Sequence, residues 1–219
     1  MTKAPEKRRS YRREHPDKRR VELMEATLRV IASRGVEAAS VRAISSEAGV
    51  TPGLIRHYFA SKEDLVCAAY AHHMTVMQRA SSKASDTERG SAVERLAEFI
   101  RRTLSPPVTG AQEVQLWAAF IEKIGREPAM RQVHLESYRD FRLQLETVLR
   151  AALLEADHTP SQIELTRLTF ACNAVLDGLW LESSALPDIL PTDEVVQIGL
   201  QSVSRLTGLP LLNTRNDTP

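Results

Sequence analysis

The stretch Ala39–Leu65, ASVRAISSEAGVTPGLIRHYFASKEDL, decides how this chain is read. Ser40 is placed to cap a short helix whose Val41 and Ile44 turn inward. Ala48, Gly49 and Val50 follow as a turn, and Gly49 supplies the left-handed backbone such a turn needs without a Cβ penalty. Thr51 can cap a second short helix with Pro52 at its first position, where the missing N–H costs nothing. Ile55 and Phe59, four residues apart, share the inward face of that helix. Ser61 then caps a longer helix, with Asp64 reaching back in the manner of a capping box. Two short capped helices joined through a glycine turn form a helix-turn-helix.

Upstream, Val21, Met24, Leu28 and Ile31 recur at three and four residues, and Gly35 stops the helix they define. Before Lys18 the chain is basic and poor in apolar residues. Residues 1–17 therefore read as a flexible arm that either touches a polyanion or is simply solvated. The charge balance changes along the chain. Residues 1–62 carry 14 Lys and Arg against 7 Asp and Glu, whereas residues 63–219 carry 15 against 21. A basic head on an acidic body points to a head that meets a polyanion.

Downstream the periodicity stays helical. SSKASDTERGS interrupts it near 81–91, and helices are expected over 91–104, 110–124, 128–156, 160–185 and 192–207. Pro106-Pro107, Gly125 to Pro128, Thr159-Pro160 and Pro187/Pro191 separate them. No segment alternates as a strand would. The fold class is all-α, with about nine helices: an arm (1–17), a three-helix head (18–62), a helical body (63–210) and a flexible tail (211–219). The most apolar segment, Thr169 to Leu181, is broken by Asn173 and Asp177 and is too short to span a bilayer. With no signal peptide in view, a soluble cytoplasmic protein without a membrane partner is expected. Cys67 and Cys172 are far apart and read as buried free thiols in a reducing compartment. No nucleophile elbow, phosphate loop or metal-ligand spacing occurs, which argues against an enzyme and implies no cofactor or metal.

The outer face of the second short helix suits a major groove of double-stranded DNA. Gly53 lets backbone approach closely, Leu54 offers apolar contact to a base edge, Arg56 can reach a phosphate or guanine, and Tyr58 can donate to a phosphate. Lys62 opens the next helix, where a phosphate is favoured. The whole stretch, and the run His57, Tyr58, Phe59, Ser61, Lys62 in particular, resembles the DNA-binding head of the TetR family of bacterial transcriptional regulators. The resemblance implies base contacts from Arg42, Pro52, Gly53 and Leu54, and phosphate contacts from Thr51, Arg56, Tyr58 and Lys62. It implies a packing and positioning role for His57. Pro52 stands where the family often has Lys or another polar residue, and Arg56 where it often has an aromatic; both departures bear on the operator sequence.

In the body, LWAAF (Leu116–Phe120), PAMRQ (Pro128–Gln132) and LDGLWLESSAL (Leu176–Leu186) resemble the BetI-type branch, known for choline-responsive repressors. That resemblance implies a homodimer on a palindromic operator, released by a small-molecule effector: a choline-like cation or another small metabolite. Three stripes at helical spacing could line its pocket: Trp117, Phe120 and Ile124; Tyr138, Phe141 and Leu145; Phe170, Asn173, Asp177 and Trp180, the last two with a competing role in a dimer interface. The same stripes would serve equally as core. Trp180, Leu181, Val195, Ile198, Val203 and Leu206 are assigned to a dimer interface, as the family's last two helices imply. A dimer also makes physical sense, because one short helix reads few base pairs and a two-fold pair reads two half-sites. An activator of the same family, or a helical interaction protein that binds DNA non-specifically, remain the alternatives.

Overall fold

The computed structural model describes residues 16–82, 90–186 and 188–213. Among these are nine α-helices, one 3-10 turn and no strand. The head comprises α1 (Pro16–Arg34), α2 (Val41–Glu47) and α3 (Pro52–Tyr58). The expected arm lies almost wholly outside the described residues, and so does most of the break near 81–91.

The local signals of the head act largely as the sequence suggests. The Ser40 hydroxyl accepts from the Ala43 N–H at 3.2 Å, and Gly49 takes φ +65°. Thr51 differs: it stands at the N-cap of α3 but its hydroxyl makes no capping bond. The Leu54 N–H donates instead to the Thr51 carbonyl at 3.0 Å. Pro52 fixes the entry angle, so backbone alone closes the first turn and the Thr51 hydroxyl stays on the exposed surface. At the start of α4 (Lys62–Ser82) the Ser61 hydroxyl accepts from the Asp64 N–H at 3.0 Å, and the Asp64 carboxylate accepts from Ala60, one residue earlier than a strict capping box requires.

The head is not a separate module. A single apolar cluster runs from Leu23, Ile31, Ile44, Ile55 and Phe59 through Leu65 and Tyr70 of α4 into Leu116, Phe120 and Met130. The expected boundary at residue 62 is therefore the first turn of a 21-residue helix shared by head and body. The body adds α5 (Ala92–Thr103), α6 (Ala111–Arg126), α7 (Pro128–Glu155), α8 (Gln162–Ala185) and α9 (Thr192–Thr207). A second cluster joins α5, α7, α8 and α9 around Phe99, Ile100, Leu149, Cys172, Leu176 and Leu200. Gly199 lets α9 approach the end of α5 closely, since a Cβ there would overlap the Leu104 side chain.

Three expectations change. The tail does not begin at 211: Leu211, in the 3-10 turn Leu211–Asn213, is fully buried in the second cluster. Leu211, just after Pro210, fills a place in the body core while Leu212 stays 47% exposed, and hydrophobic burial of the one side chain outweighs its terminal position. Of the cysteines, Cys172 is buried but Cys67 is only half-buried. Val195 and Val203 are fully buried within this protomer rather than on an outer face, because they belong to the stripe of α9 that packs on α5 and α8.

Candidate DNA interface and ligand cavity

One face of α3 is core and the opposite face is open. Ile55 and Phe59 are 2% and 3% exposed. Thr51, Pro52, Gly53, Arg56 and His57 are exposed, with Arg42 of α2 also exposed, while Leu54, Tyr58 and Lys62 are half-buried. A Cβ on Gly53 would meet only the Thr51 hydroxyl, at 3.9 Å. The head itself therefore does not need glycine there; what glycine provides is a flat outer surface. The His57 ring sits edge-on to Tyr58 at 5.2 Å. Two arginines of α1 brace this surface. Arg20 donates to the Tyr58 carbonyl at 3.0 Å and lays its guanidinium 4.4 Å from the Phe59 ring centre. Arg29 pairs with Glu47 of α2 at 2.8 Å. The sequence reading passed over Arg20 because it belongs to the basic run; its i+38 and i+39 partners leave no local signature.

A cavity of about 110 Å³ lies where the two apolar clusters meet, walled by α4, α6, α7 and α8. From α6 come Trp117 and Phe120, from α7 Tyr138 and Phe141, and from α8 Leu176, Asp177 and Trp180. α4 contributes Tyr70, His73, Met74 and Met77. Trp180, assigned from sequence to a dimer interface, thus lines the cavity. Its indole N–H donates to the Val108 carbonyl at 2.7 Å, and its ring meets Trp117 edge-on at 6.4 Å. Leu176, Asp177 and Trp180 share one helical face at three- and four-residue steps, so Trp180 must turn the same way as Asp177.

Phe170 has the right phase but the wrong height. It stands seven residues before Asp177, roughly 10 Å down the helix, is 54% exposed and lies 5.0 Å from the Arg142 guanidinium. Asn173 is buried behind the wall and donates its amide to the Asp177 carboxylate at 2.7 Å. Of the remaining residues assigned to a dimer interface, Leu181 and Leu206 are 36% and 41% exposed, and Ile198 is half-buried.

The polar groups of the cavity are unequally matched. The Tyr70 hydroxyl lies 2.7 Å from His134 Nδ1. Burial pushes the Tyr138 hydroxyl up to about 12, with the Asp177 charge adding to the rise. Asp177 is also raised by burial, but its Asn173 bond and the Arg142 charge oppose that rise. For Glu113, in the first turn of α6, nothing opposes desolvation, and burial alone lifts its carboxyl to about 7. His73 Nε2 comes within 3.3 Å of Glu113 Oε2, yet Oε2 finds no hydrogen-bond donor among the described residues. Burial, with His72 beside it, lowers His73 to about 4, so the imidazole is neutral at physiological pH. The sequence reading missed Glu113 and His73. Glu113 continues the stripe Trp117, Phe120 and Ile124 one turn earlier, which was the signal to follow. No group of three or more potential metal ligands occurs among the described residues, and no described helix is long and apolar enough to cross a membrane.

An exposed helix-turn-helix carried on a helical body with an apolar cavity defines a DNA-binding regulator. The chain belongs to the TetR family: residues 23–69 match the model for bacterial regulatory proteins of the tetR family, and residues 92–208 match that for the C-terminal part of BetI-type transcriptional repressors. It is 32% identical over 169 residues to the HTH-type transcriptional regulator BetI of Rhizobium meliloti (strain 1021), covering 76% of this chain and 78% of that protein. The structure of a candidate transcriptional regulator from Pseudomonas aeruginosa PAO1 superposes with a TM-score of 0.80 at 34% identity, covering 93% of this chain and 97% of that one. A regulator from Saccharomonospora viridis, solved in complex with choline, shares the fold with a TM-score of 0.68 at 20% identity, covering 86% and 96%.

Proposed function

We propose that the protein is a homodimeric transcriptional repressor, acting in the cytoplasm, that leaves a palindromic operator when a small organic effector enters the cavity. The observation that carries this reading is that two residues belong to both ends of the device. Tyr70 and Phe120 line the cavity and also lie in the apolar cluster that seats α3, with their rings 4.7 Å apart. A ligand that displaces either ring must repack the seat of the recognition helix. Close-packed interiors respond to such displacement by switching arrangement rather than by deforming smoothly. Release follows if the effector binds better to the dimer whose heads are wrongly spaced for DNA.

In this reading Arg42, Pro52, Gly53 and Leu54 approach base edges, and Thr51, Arg56, Tyr58 and Lys62 hold phosphates. His57 positions Tyr58. The two-fold contact uses the outer faces of α8 and α9, where Ile163, Phe170, Leu181 and Leu206 leave apolar surface exposed. Aromatic walls with two carboxylates favour a small cation, and choline, bound by the Saccharomonospora viridis relative, is the first to try.

The test is a footprint of the purified protein on DNA flanking its own gene, with and without choline and then with the metabolites of neighbouring genes. A protected two-fold site erased by one of them is the expected result. A protected site that no metabolite weakens would overturn effector-driven release.

A further inference from the structure

The cavity's two carboxylates differ in what they still lack. Asp177 has a donor in Asn173, at 2.7 Å, and a nearby cation in Arg142. Glu113 Oε2 has neither: His73 Nε2, 3.3 Å away, is neutral and makes no hydrogen bond to it, and Oε2 is buried without a donor among the described residues. A buried carboxylate without a donor is costly to leave so, and a group that brings both a positive charge and an N–H meets both of its needs at once. Around it stand the rings of Trp117, Trp180 and Phe120, a type of wall that excludes water and whose faces attract cations. The neutral Val108 carbonyl, which already accepts from Trp180, is the weaker competitor for a charged donor.

We infer that the cavity selects a compact apolar ammonium bearing at least one N–H, which donates that N–H to Glu113. Quaternary ammonium ions that carry no other donor are disfavoured because they leave Oε2 unpaired, whereas the hydroxyl of choline could still reach it. The inference rests on the cavity being an effector site but concerns which chemistry it accepts, independent of what binding does to DNA. Glu113 is the residue that recognises the ligand's charge, while Asp177, already satisfied, contributes field rather than a bond.

Proton linkage is a consequence. A carboxyl lifted to about 7 by burial is partly protonated at neutral pH, and the bound cation requires it ionised, so binding releases a proton and tightens between pH 6 and 8. The other titratable and charged groups around the site are His73, with His72 beside it, and Tyr70 on α4; His134, Tyr138 and Arg142 on α7; and Asp177 on α8. His73 and the two phenols do not titrate in that window, their folded values lying near 4 and at or above 12. Burial and Arg142 hold His134 below the ordinary histidine value.

The chain's two tryptophans both line the cavity, so tryptophan fluorescence of the full-length protein without DNA reads its occupancy. The probes are benzyldimethylamine, with one N–H when protonated, and benzyltrimethylammonium, which differs by a methyl group in its place. Benzyl alcohol and phenylacetate serve as neutral and anionic counterparts. The tertiary ammonium should bind about tenfold tighter than the quaternary one, as expected for a hydrogen bond to a charged group, and phenylacetate should bind weakest. Glu113→Gln should abolish the preference for the N–H-bearing cation and its pH dependence, while benzyl alcohol binding, unchanged, reports an intact cavity. Equal affinity of the two cations, tighter binding of phenylacetate, a preference that survives Glu113→Gln, or no response to the amine up to roughly 1 mM would each overturn the inference. Operator release is scored separately. Amines that bind without releasing DNA would keep this inference and sink effector-driven release; release by an anion would do the reverse.

Discussion

The head and the cavity are both made of helices packed on one another, but they are specified at different ranges. In the head, Ser40, Gly49, Pro52 and Ser61 fix ends and turns within a few residues of themselves, and the functional face is whatever Ile55 and Phe59 do not bury. In the body, no short segment contains the site. Glu113, Trp117, Tyr138 and Asp177 stand on three helices, and only tertiary packing brings them together. The head is a local motif presented outward; the cavity is a long-range construction turned inward. Where they share residues, at Tyr70 and Phe120, the difference should become measurable.

The largest effect tests whether the two regions are one cooperative unit. Phe59→Ala removes a 3%-exposed ring from the head and should cost about 3–5 kcal/mol. Because the same cluster reaches Phe120 and Met130, helix content and tryptophan fluorescence should melt together at a lowered temperature. Two separated transitions would mean that the head unfolds alone and that the shared cluster does not couple it to the cavity. Next in size, Gly199→Ala forces a methyl group onto Leu104 and should cost about 1–3 kcal/mol by overpacking. It should leave operator affinity per folded dimer unchanged. A loss of DNA binding beyond the loss of folded protein would show that α5 and α9 also set the spacing of the heads.

Arg56→Ala sharpens the comparison from the other side. Arg56 is exposed at the end of α3, so stability should change by no more than about 0.5 kcal/mol. If it holds a phosphate, binding should weaken by roughly tenfold on operator and random DNA alike, and the slope of log affinity against log salt should fall by about 1. A loss confined to the operator, with an unchanged salt slope, would make Arg56 a base reader instead.

The same contrast explains what could be read without coordinates. The helices, their order and most of the head's caps follow from apolar spacing and from Ser, Gly and Pro at positions where backbone groups need them. Thr51 misled because a Pro at the first turn lets the backbone close without the hydroxyl. Trp117, Phe120, Tyr138, Phe141 and Asp177 all line the cavity, and the aromatic stripes are legible because such a stripe marks an inward face. Periodicity gives phase but not height along a helix axis, however, so Phe170 was placed in a cavity it stands two turns below. Val195 and Val203 fell to the same ambiguity, since an apolar stripe on the last helix serves a protomer's own core as well as a partner. Glu113 is hard to read for a different reason: it continues the Trp117 stripe, but a glutamate in the first turn of a helix is ordinary there, and only its burial in the folded body makes it unusual.

The smallest expected effect follows from that buried pair. His73 is held near 4, below its ordinary value, so its share of stability is present above about pH 6.5 and is lost as pH falls toward 4. Glu113 is held near 7, above its ordinary value, so its share is present below about pH 4.5 and is lost as pH rises through 7. Between pH 4.5 and 6.5 the two slopes oppose each other, and the wild-type curve is flattened. Relative to wild type, Glu113→Gln should gain stability as pH rises through this window, and His73→Asn should lose it. Each slope should be no more than roughly 1 kcal/mol per pH unit. Glu155, drawn below its ordinary value mainly by the Ala92 N–H and also by that of Val93, adds an acid loss common to all three proteins that cancels in the differences. Urea titrations at half-unit steps of pH measure this. Parallel curves for wild type and both variants would mean that solvent reaches Glu113, and would place the cavity's charge on the same footing as the head's exposed arginines.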